Sequence, residues 1–311
     1  MYSTLELNIM NISNHRLLVT GATGLMGNWL LHKFHSNPLS YFVGYSKSMK
    51  ANNFASINLT HPDETKTYLN SIQPNIIIHT VALANVDACE ENHFEAFLLN
   101  VQTTKHIVNW IEKESPLTKM IYISTDQVYN GPGKHDEKDA SPTNVYALTK
   151  LWAEDIVSTI QNFLILRTNF FALSMNQEKS SFANWLINCL IEKKSLTLFT
   201  DIFFNPLYIK DFIDIIVWLI ENEINGVFNL GAKGNGISKA DFALKLADLF
   251  HMKFKNVTFG SVHDSSLKAN RPLDMRMSTR KIEKIMEIPL PSIDEGLLKL
   301  YDDWNMLKKV K

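Results

Sequence analysis

The chain has 311 residues, of which 45% are hydrophobic and 20% are charged, and its formal net charge is −1. This composition is typical of a folded globular protein and excludes a largely disordered chain. The balanced charge argues against a nucleic-acid-binding protein, which normally carries a clear basic excess. The length suits one large domain or two unequal domains.

The sequence shows no pattern for a membrane, a secretory route or a metal. Its longest strictly apolar run is Ile215–Ile220, whereas a membrane span needs about 20 residues. Cys89 and Cys189 form no CxxC motif, and no HxH or HExxH spacing occurs. We therefore expect a cytoplasmic protein with no membrane partner and no metal site, in which His79 is a packed core residue.

Short apolar strands alternate with helices through the first 170 residues. The predicted strands are 15–20, 41–45, 75–79, 119–124 and 163–167. The predicted helices are 25–35, 60–71, 90–113 and 144–160, the second being expected to start with Thr60 as its cap and Asp63 three residues later. This alternation indicates βαβ units and a parallel sheet that is covered on both faces.

Later in the chain the alternation becomes less regular. A helix is predicted over 210–223, with Asp211, Asp214, Glu221 and Glu223 on its solvated side, and a buried strand over 227–230. Ser238 with Asp241, and Ser292 with Glu295, have the spacing of capping boxes and predict two further helix starts.

A glycine-rich turn follows the first predicted strand directly. Gly21, Gly24 and Gly27 have a GxxGxxG spacing, with Thr23, Leu25 and Met26 between them. Glycines at a strand-to-helix turn let backbone N–H groups approach a pyrophosphate, and the helix N-terminus adds partial positive charge. The turn therefore predicts a dinucleotide site.

The region after the second strand bears on which dinucleotide is bound. No Asp or Glu occurs from Asn28 to Pro62, although NAD-binding proteins usually place an acid there for the ribose hydroxyls. Ser46 and Lys47 stand at the end of this strand instead, and they suit a 2′-phosphate. We expect NADP(H) in preference to NAD(H), the alternative being that these are ordinary solvated loop residues.

These observations predict an α/β protein with a Rossmann-like, doubly wound parallel sheet and a smaller α+β C-terminal cap that binds the substrate. We expect residues 15–170, with a returning segment at about 209–230, to form the NAD(P)-binding domain. Residues 171–208 and 231–311 are expected to form the cap.

Tyr146 and Lys150 form a YxxxK pair on a predicted helix, so both side chains lie on one face. A nearby ammonium lowers the pKa of a tyrosine, which lets the pair exchange a proton with a carbonyl or alcohol oxygen. Thr125, at the end of a predicted strand, can hold that oxygen beside Tyr146. The alternative is that Ser124 and Thr125 only cap the strand.

The segments TGATGLMG, STDQVY and NVYALTK, in this order, resemble the extended short-chain dehydrogenase/reductases. Within them, the chain is most similar to the dTDP-4-dehydrorhamnose reductase group, through further matches such as Leu99–Val101, Leu166–Asn169 and Arg271-Pro272. The resemblance covers roughly residues 15 to 300. It implies a nucleotide-sugar substrate and a homodimer.

The resemblance also implies roles for individual residues. Thr125, Tyr146 and Lys150 would be catalytic, with Lys150 also holding the nicotinamide ribose. Further cofactor contacts would be Asn58, Leu59, Thr80, Val81, Ala82 and Thr168. Substrate contacts would be Ala84, Val86, Asp126, Gln127, Asn169, Phe170 and Arg271. For Arg271, whose guanidinium suits a diphosphate, a surface salt bridge is the alternative.

Four positions depart from the family pattern, and none of them is in the catalytic set. Ala147 stands where Gly is frequent, Gln127 replaces an aromatic residue, Phe170 stands where Trp is frequent, and Asn58 replaces an acid. These departures bear on which substrate is bound.

The resemblance implies NADP(H)-dependent reduction of the 4-keto group of a nucleotide-linked 6-deoxysugar. Two alternatives stay open. One is a nucleotide-sugar epimerase or dehydratase of the same superfamily. The other is a non-catalytic, NADP-binding regulatory subunit like that of methionine adenosyltransferase.

Overall fold

The structure is a computed structural model that describes residues 14–44, 53–174 and 181–310. Ser46 and Lys47, which the sequence predicts as cofactor contacts, lie outside these ranges.

A seven-stranded parallel sheet forms the centre of the described structure. Its strands, numbered in chain order, are β1 Leu17–Thr20, β2 Ser40–Gly44, β3 Phe54–Ser56, β4 Ile76–His79, β5 Lys119–Thr125, β6 Phe163–Thr168 and β11 Gly226–Leu230. They lie side by side in the order β3-β2-β1-β4-β5-β6-β11. The reversal of strand order between β1 and β4 creates the crevice in which open α/β sheets bind ligands.

Helices separate these strands and continue into the C-terminal part. Their bounds are α1 Leu25–Phe34, α2 Pro62–Ile72, α3 Val86–Glu91, α4 His93–Phe97, α5 Thr103–Glu114, α6 Val145–Val157, α7 Phe182–Ile191, α8 Ile209–Glu221, α9 Lys239–Leu249, α10 Arg280–Met286 and α11 Ile293–Val310. The predicted Rossmann-like fold class is confirmed.

Six short strands make three two-stranded sheets outside the central one. They are β7 Phe170–Phe171, β8 Ser195–Phe199, β9 Phe203–Phe204, β10 Leu207–Tyr208, β12 Ile237–Ser238 and β13 Asn256–Gly260. The pairs are β7 with β10, β9 with β12, and β8 with β13. Because both faces of the central sheet are covered, β1 and β4 are buried along their whole length.

Three local predictions were wrong. Helix α2 begins at Pro62 after His61, with no side-chain cap, while the Thr60 hydroxyl donates to Asn58 Oδ1. A proline needs no N–H partner at the first helical position, which explains this start.

The continuous helix predicted over 90–113 is interrupted at Asn92, which leaves helical geometry and caps α4, and by a π-helical turn at Leu98–Gln102. Asp211, expected on a solvated helix face, is buried and pairs with Lys299.

Both predicted capping boxes are helix starts in the structure. Ser238 Oγ accepts a hydrogen bond from the Asp241 backbone N–H at 3.0 Å. Ser292 and Glu295 are reciprocally bonded, each backbone N–H donating to the other's side chain. None of the helices in the described ranges is both long enough and apolar enough to cross a membrane.

Candidate active site

The glycine turn after β1 is too tightly packed for larger residues. Gly21 has a φ of +71°, in the left-handed region that favours glycine. A Cβ at Gly27 would lie 2.1 Å from the Gly21 carbonyl oxygen, so only glycine lets α1 approach the turn this closely. The first turn of α1 carries no acid, so its N-terminal partial charge is unopposed there.

A cavity of about 520 Å³ opens beside this turn. Predicted cofactor contacts line it, namely Gly21, Thr23, Gly24, Asn58, Leu59, Thr80, Val81 and Ala82. The lining consists mainly of backbone, hydroxyl and apolar groups, and among the described residues Glu95 is its one charged side chain. This chemistry and the glycine cradle fit the adenosine and pyrophosphate parts of a dinucleotide.

Four other predicted cofactor residues are not among those that line the cavity. Met26 is buried and Leu25 packs against the core below the turn, where Gly27 makes its close backbone contact. The Thr168 hydroxyl donates to the Leu230 carbonyl at 2.9 Å.

Thr125 and Tyr146 come together at the carboxyl edge of the sheet. Thr125 ends β5, Tyr146 lies in the first turn of α6, and their hydroxyl groups are close enough to interact. Lys150, one turn further along α6, donates to the Ile123 carbonyl at 2.7 Å and lies 4.0 Å from the centre of the Tyr122 ring. The structure therefore gathers the three predicted catalytic residues at the junction of β5 and α6.

The pKa values of Tyr146 and Lys150 differ from the sequence-based expectation. Burial raises the pKa of Tyr146 well above its usual value, the Thr125 hydroxyl opposes this, and Asp126 adds to it. The expected net lowering of this pKa was wrong, because burial outweighs any effect of the Lys150 ammonium, which is hydrogen-bonded to the Ile123 carbonyl. Burial also lowers the pKa of Lys150 to about 7. At neutral pH Tyr146 is thus a protonated phenol.

Asp126 is a buried carboxyl group next to Thr125, with 1% of its surface exposed. Asn169, just after β6, donates to Asp126 Oδ2 at 2.7 Å, and the Thr125 hydroxyl donates to Oδ1 at 3.3 Å. Burial raises the pKa of Asp126 to about 6, against the effect of these hydrogen bonds and of Lys239. The carboxylate is therefore the main form at neutral pH.

A second cavity, of about 340 Å³, contains four of the predicted substrate contacts: Val86, Gln127, Asn169 and Arg271. Two other predicted contacts are placed elsewhere. Ala84 is exposed outside the cavity lining, and the Phe170 ring packs on Phe212 at a centroid distance of 6.3 Å. Phe170 is placed there because β7 pairs with β10, which turns it toward α8.

Arg271 both forms a salt bridge and lines the cavity. Its Nη2 lies 3.0 Å from Asp87 Oδ1 on α3. The same carboxylate accepts the backbone N–H groups of Lys268 and Ala269 at 3.1 and 3.0 Å. The segment that carries Arg271 is thereby fastened to the nucleotide-binding half.

The sequence analysis missed Lys239, Phe182 and Trp185, which also line this cavity. Lys239 directly follows the correctly predicted cap Ser238, so its position at a helix start was visible. Nothing in the sequence shows that this helix start faces Asn169, because the two lie about 70 residues apart.

The parallel sheet, the glycine turn and the Thr–Tyr–Lys group define the extended short-chain dehydrogenase/reductase class. More particularly, a protein-family model, the RmlD substrate binding domain, matches residues 15–306, and the chain belongs to this family.

Curated relatives fall into two groups. Methionine adenosyltransferase 2 subunit beta of Danio rerio is 27% identical over 278 residues, which cover 86% of this chain and 84% of that protein. The dTDP-4-dehydrorhamnose reductase of Aggregatibacter actinomycetemcomitans is 25% identical over 215 residues, 68% of this chain and 69% of that protein.

Solved structures share the fold. The dTDP-4-dehydrorhamnose reductase of Bacillus anthracis, in complex with NADP, superposes with a TM-score of 0.83 at 24% identity, covering 93% of this chain and 99% of that one. The dTDP-glucose 4,6-dehydratase of the same organism, in complex with NAD, has a TM-score of 0.75 at 17% identity, covering 94% and 97%.

Proposed function

We propose that the protein is an NADP(H)-dependent reductase of the 4-keto group of a nucleotide-linked 6-deoxysugar. The observation that carries the proposal is the grouping of Thr125, Tyr146 and Lys150 where β5 meets α6, at the carboxyl edge of the sheet. The glycine turn after β1 and Asn169 after β6 stand at the same edge. Parallel sheets bind their ligands at this edge.

The residues of the chain supply the proton chemistry of this reaction, and a bound reduced nicotinamide supplies the hydride. Tyr146 donates its phenolic proton to the ketone oxygen as that oxygen becomes an alcohol. Its raised pKa keeps the phenol protonated until then. Thr125 holds the oxygen beside the phenol, and the Lys150 ammonium stabilises the phenolate that remains.

The preference for NADP(H) is part of the proposal. The stretch from Asn28 to Pro62 contains no acid that would repel a 2′-phosphate. The Bacillus anthracis reductase similar to this chain was solved with NADP, whereas the similar dehydratase was solved with NAD. The proposed homodimer and the division into a nucleotide-binding domain and a cap rest on the family resemblance.

An NADPH-oxidation assay tests the reductase function. The purified full chain is mixed with a panel of nucleotide 4-keto-6-deoxysugars that differ in base and stereochemistry, and absorbance at 340 nm is followed. At least one sugar should give turnover with NADPH, and turnover with NADH should be slower. Failure of every sugar under conditions where NADPH binds would contradict the proposal.

A second candidate function is a regulatory subunit of a methionine adenosyltransferase. The similarity to the beta subunits favours it, because it extends over 86% of the chain. Such a subunit would copurify with a synthetase and oxidise no NADPH with any keto-sugar. The complete Thr125, Tyr146 and Lys150 group favours the enzyme.

The epimerase alternative makes a separate prediction. An epimerase reoxidises its cofactor in each cycle and often retains it, so the purified protein would carry a nicotinamide absorbance. A reductase exchanges its cofactor and would be purified largely without it.

A further inference from the structure

Two cationic side chains line the 340 Å³ cavity, and neither has its hydrogen-bonding capacity filled. They are Lys239 and Arg271, which stand among the aromatic rings of Phe182 and Trp185 and the amides of Gln127 and Asn169. Both residues are half-buried, and N–H donors that face a cavity without a protein acceptor suit an anionic ligand that fills them.

Lys239 is the stronger of the two indications. Its Nζ lies over the rings of Phe204 and Phe182, 3.5 and 4.5 Å from their centres. Within the described ranges, no carboxylate lies within 4 Å of this ammonium and no hydrogen bond from it is formed. Aromatic faces stabilise a cation without using its three N–H donors, which stay available.

Asp126 does not take the place of a ligand for Lys239. Its carboxylate attracts the ammonium from a distance but already accepts hydrogen bonds from Asn169 and Thr125. Burial lowers the pKa of Lys239 to about 8 while Asp126 opposes this, so the side chain is mainly cationic at pH 7. The charge is therefore present where a substrate would lie.

The position of Lys239 is fixed by its helix. It is the first residue of α9, where Ser238 caps the helix, and its backbone N–H donates to the Ile202 carbonyl at 2.9 Å. The side chain starts from this anchored backbone and reaches the cavity along the two rings. Arg271, on another segment of the cavity wall, has a buried Nη1 that finds no hydrogen-bond partner in the described part of the chain.

We propose that Lys239 is a specificity-determining residue that binds an anionic oxygen of the substrate inside this cavity. The proposal deepens the proposed function, because it concerns the substrate of the same site. The anionic oxygen can come from the diphosphate of a nucleotide sugar or from a carboxylate on its sugar ring. Both groups accept charge-assisted hydrogen bonds from an ammonium.

Calorimetric titration of the full chain with dTDP, UDP-glucose and UDP-glucuronate tests the proposal. The variants are Lys239→Met, which keeps the apolar stem over the rings, and Lys239→Arg, which keeps the charge. Lys245→Met is the matched control, because Lys245 lies on the same helix but pairs with Asp294 at the surface. Thermal melting and NADPH affinity should be unchanged in all three.

The three ligands distinguish the two sources of the anion. If Lys239 binds the diphosphate, Lys239→Met lowers the affinity for all three ligands at least tenfold, and Lys239→Arg retains most of the affinity. If Lys239 binds a sugar carboxylate, the wild type has at least a tenfold higher affinity for UDP-glucuronate than for UDP-glucose, and Lys239→Met abolishes that difference. Both results support the proposal.

Three results would overturn it. These are affinities of Lys239→Met within twofold of the wild type for all ligands, an equal loss in Lys245→Met, or no binding of any ligand by the wild type. If the circular dichroism spectrum of Lys239→Met shows that this variant is unfolded, the same titrations are carried out with Lys239→Gln. A Lys239-dependent affinity without oxidation of NADPH by any keto-sugar would contradict the reductase function alone.

Discussion

At the scale of single residues, the phenol of Tyr146 carries the proton of the proposed reaction. We expect Tyr146→Phe to lower kcat by about 10²–10⁴-fold, the usual contribution of a positioned acid. NADPH affinity should stay within twofold, because the ring remains in place. Steady-state kinetics and a fluorescence titration measure the two effects. Tyr301→Phe, on α11, is the matched control, and equal kcat values for both variants would refute the role of Tyr146.

Lys150 gives the reaction a pH dependence. Its pKa is lowered to about 7, so the ammonium is fully present below about pH 6 and is lost as the pH rises through 7. Since the ammonium stabilises the phenolate of Tyr146, reduction should slow by up to tenfold per pH unit above neutrality. A plot of log(kcat/KM) from pH 5.5 to 9 measures this, and a flat profile over that range would contradict it.

At the scale of elements, the turn between β1 and α1 depends on glycine at its closest contact. Gly27→Ala would place a methyl group 2.1 Å from the Gly21 carbonyl oxygen, so the turn must shift. We expect a loss of about 1–3 kcal/mol of stability, as for other overpacked sites, and at least a tenfold weaker affinity for NADPH. Denaturant unfolding and a fluorescence titration provide the two values.

The control for this prediction is Gly260→Ala in β13. There the new methyl group would meet only the flexible Thr197 side chain, at 3.1 Å. NADPH binding by Gly27→Ala as tight as that of Gly260→Ala would show that the turn does not shape the dinucleotide site.

The sequence predicted the long periodic elements well, and the short ones poorly. Strands β1, β4, β5 and β6 were placed to within about two residues, because buried parallel strands are continuous apolar runs. Strand β3 and the two-residue strands were missed, since pairing with a distant partner creates them and local preference does not. The interruption at Asn92 was missed although its cause is local, because the Asn92 side chain accepts the Glu95 backbone N–H and starts a new helix.

The residues of the candidate site also differ in whether a local sequence pattern reveals them. Thr125, Tyr146 and Lys150 were found because a strand end and an i, i+4 spacing are local patterns. Lys239 and the fastening of Arg271 to Asp87 were not found, because each joins segments that are distant in sequence. The pKa of Tyr146 was predicted in the wrong direction, since burial exceeded the effect of the lysine.

At the scale of the whole molecule, a buried ion pair joins the sheet to its covering layer. Arg167 on β6 donates to both carboxylate oxygens of Glu154 on α6, at 2.6–3.0 Å, and to the Tyr129 hydroxyl at 2.8 Å. Arg167→Met should cost about 3–5 kcal/mol of unfolding free energy, because the buried Glu154 carboxylate would lose its paired cation and keep only the Ser124 hydroxyl as a donor. Urea unfolding monitored by circular dichroism measures the cost.

The comparison variant for Arg167 is Lys66→Met, which breaks the exposed pair with Glu114. Water screens that pair, so its loss should leave the unfolding midpoint almost unchanged. Similar midpoints for the two variants would mean that the buried pair does not hold the layers together.

The position of β11 has a consequence for synthesis on the ribosome. Strand β6 ends at Thr168, and its partner β11 begins at Gly226, about 60 residues later. At translation rates of ~5–20 residues per second, the backbone edge of β6 stays unpaired for roughly 3–12 s before its partner is synthesised. Nascent chains stalled in this interval should associate through that open edge and recruit chaperones, and chains released beyond β11 should not.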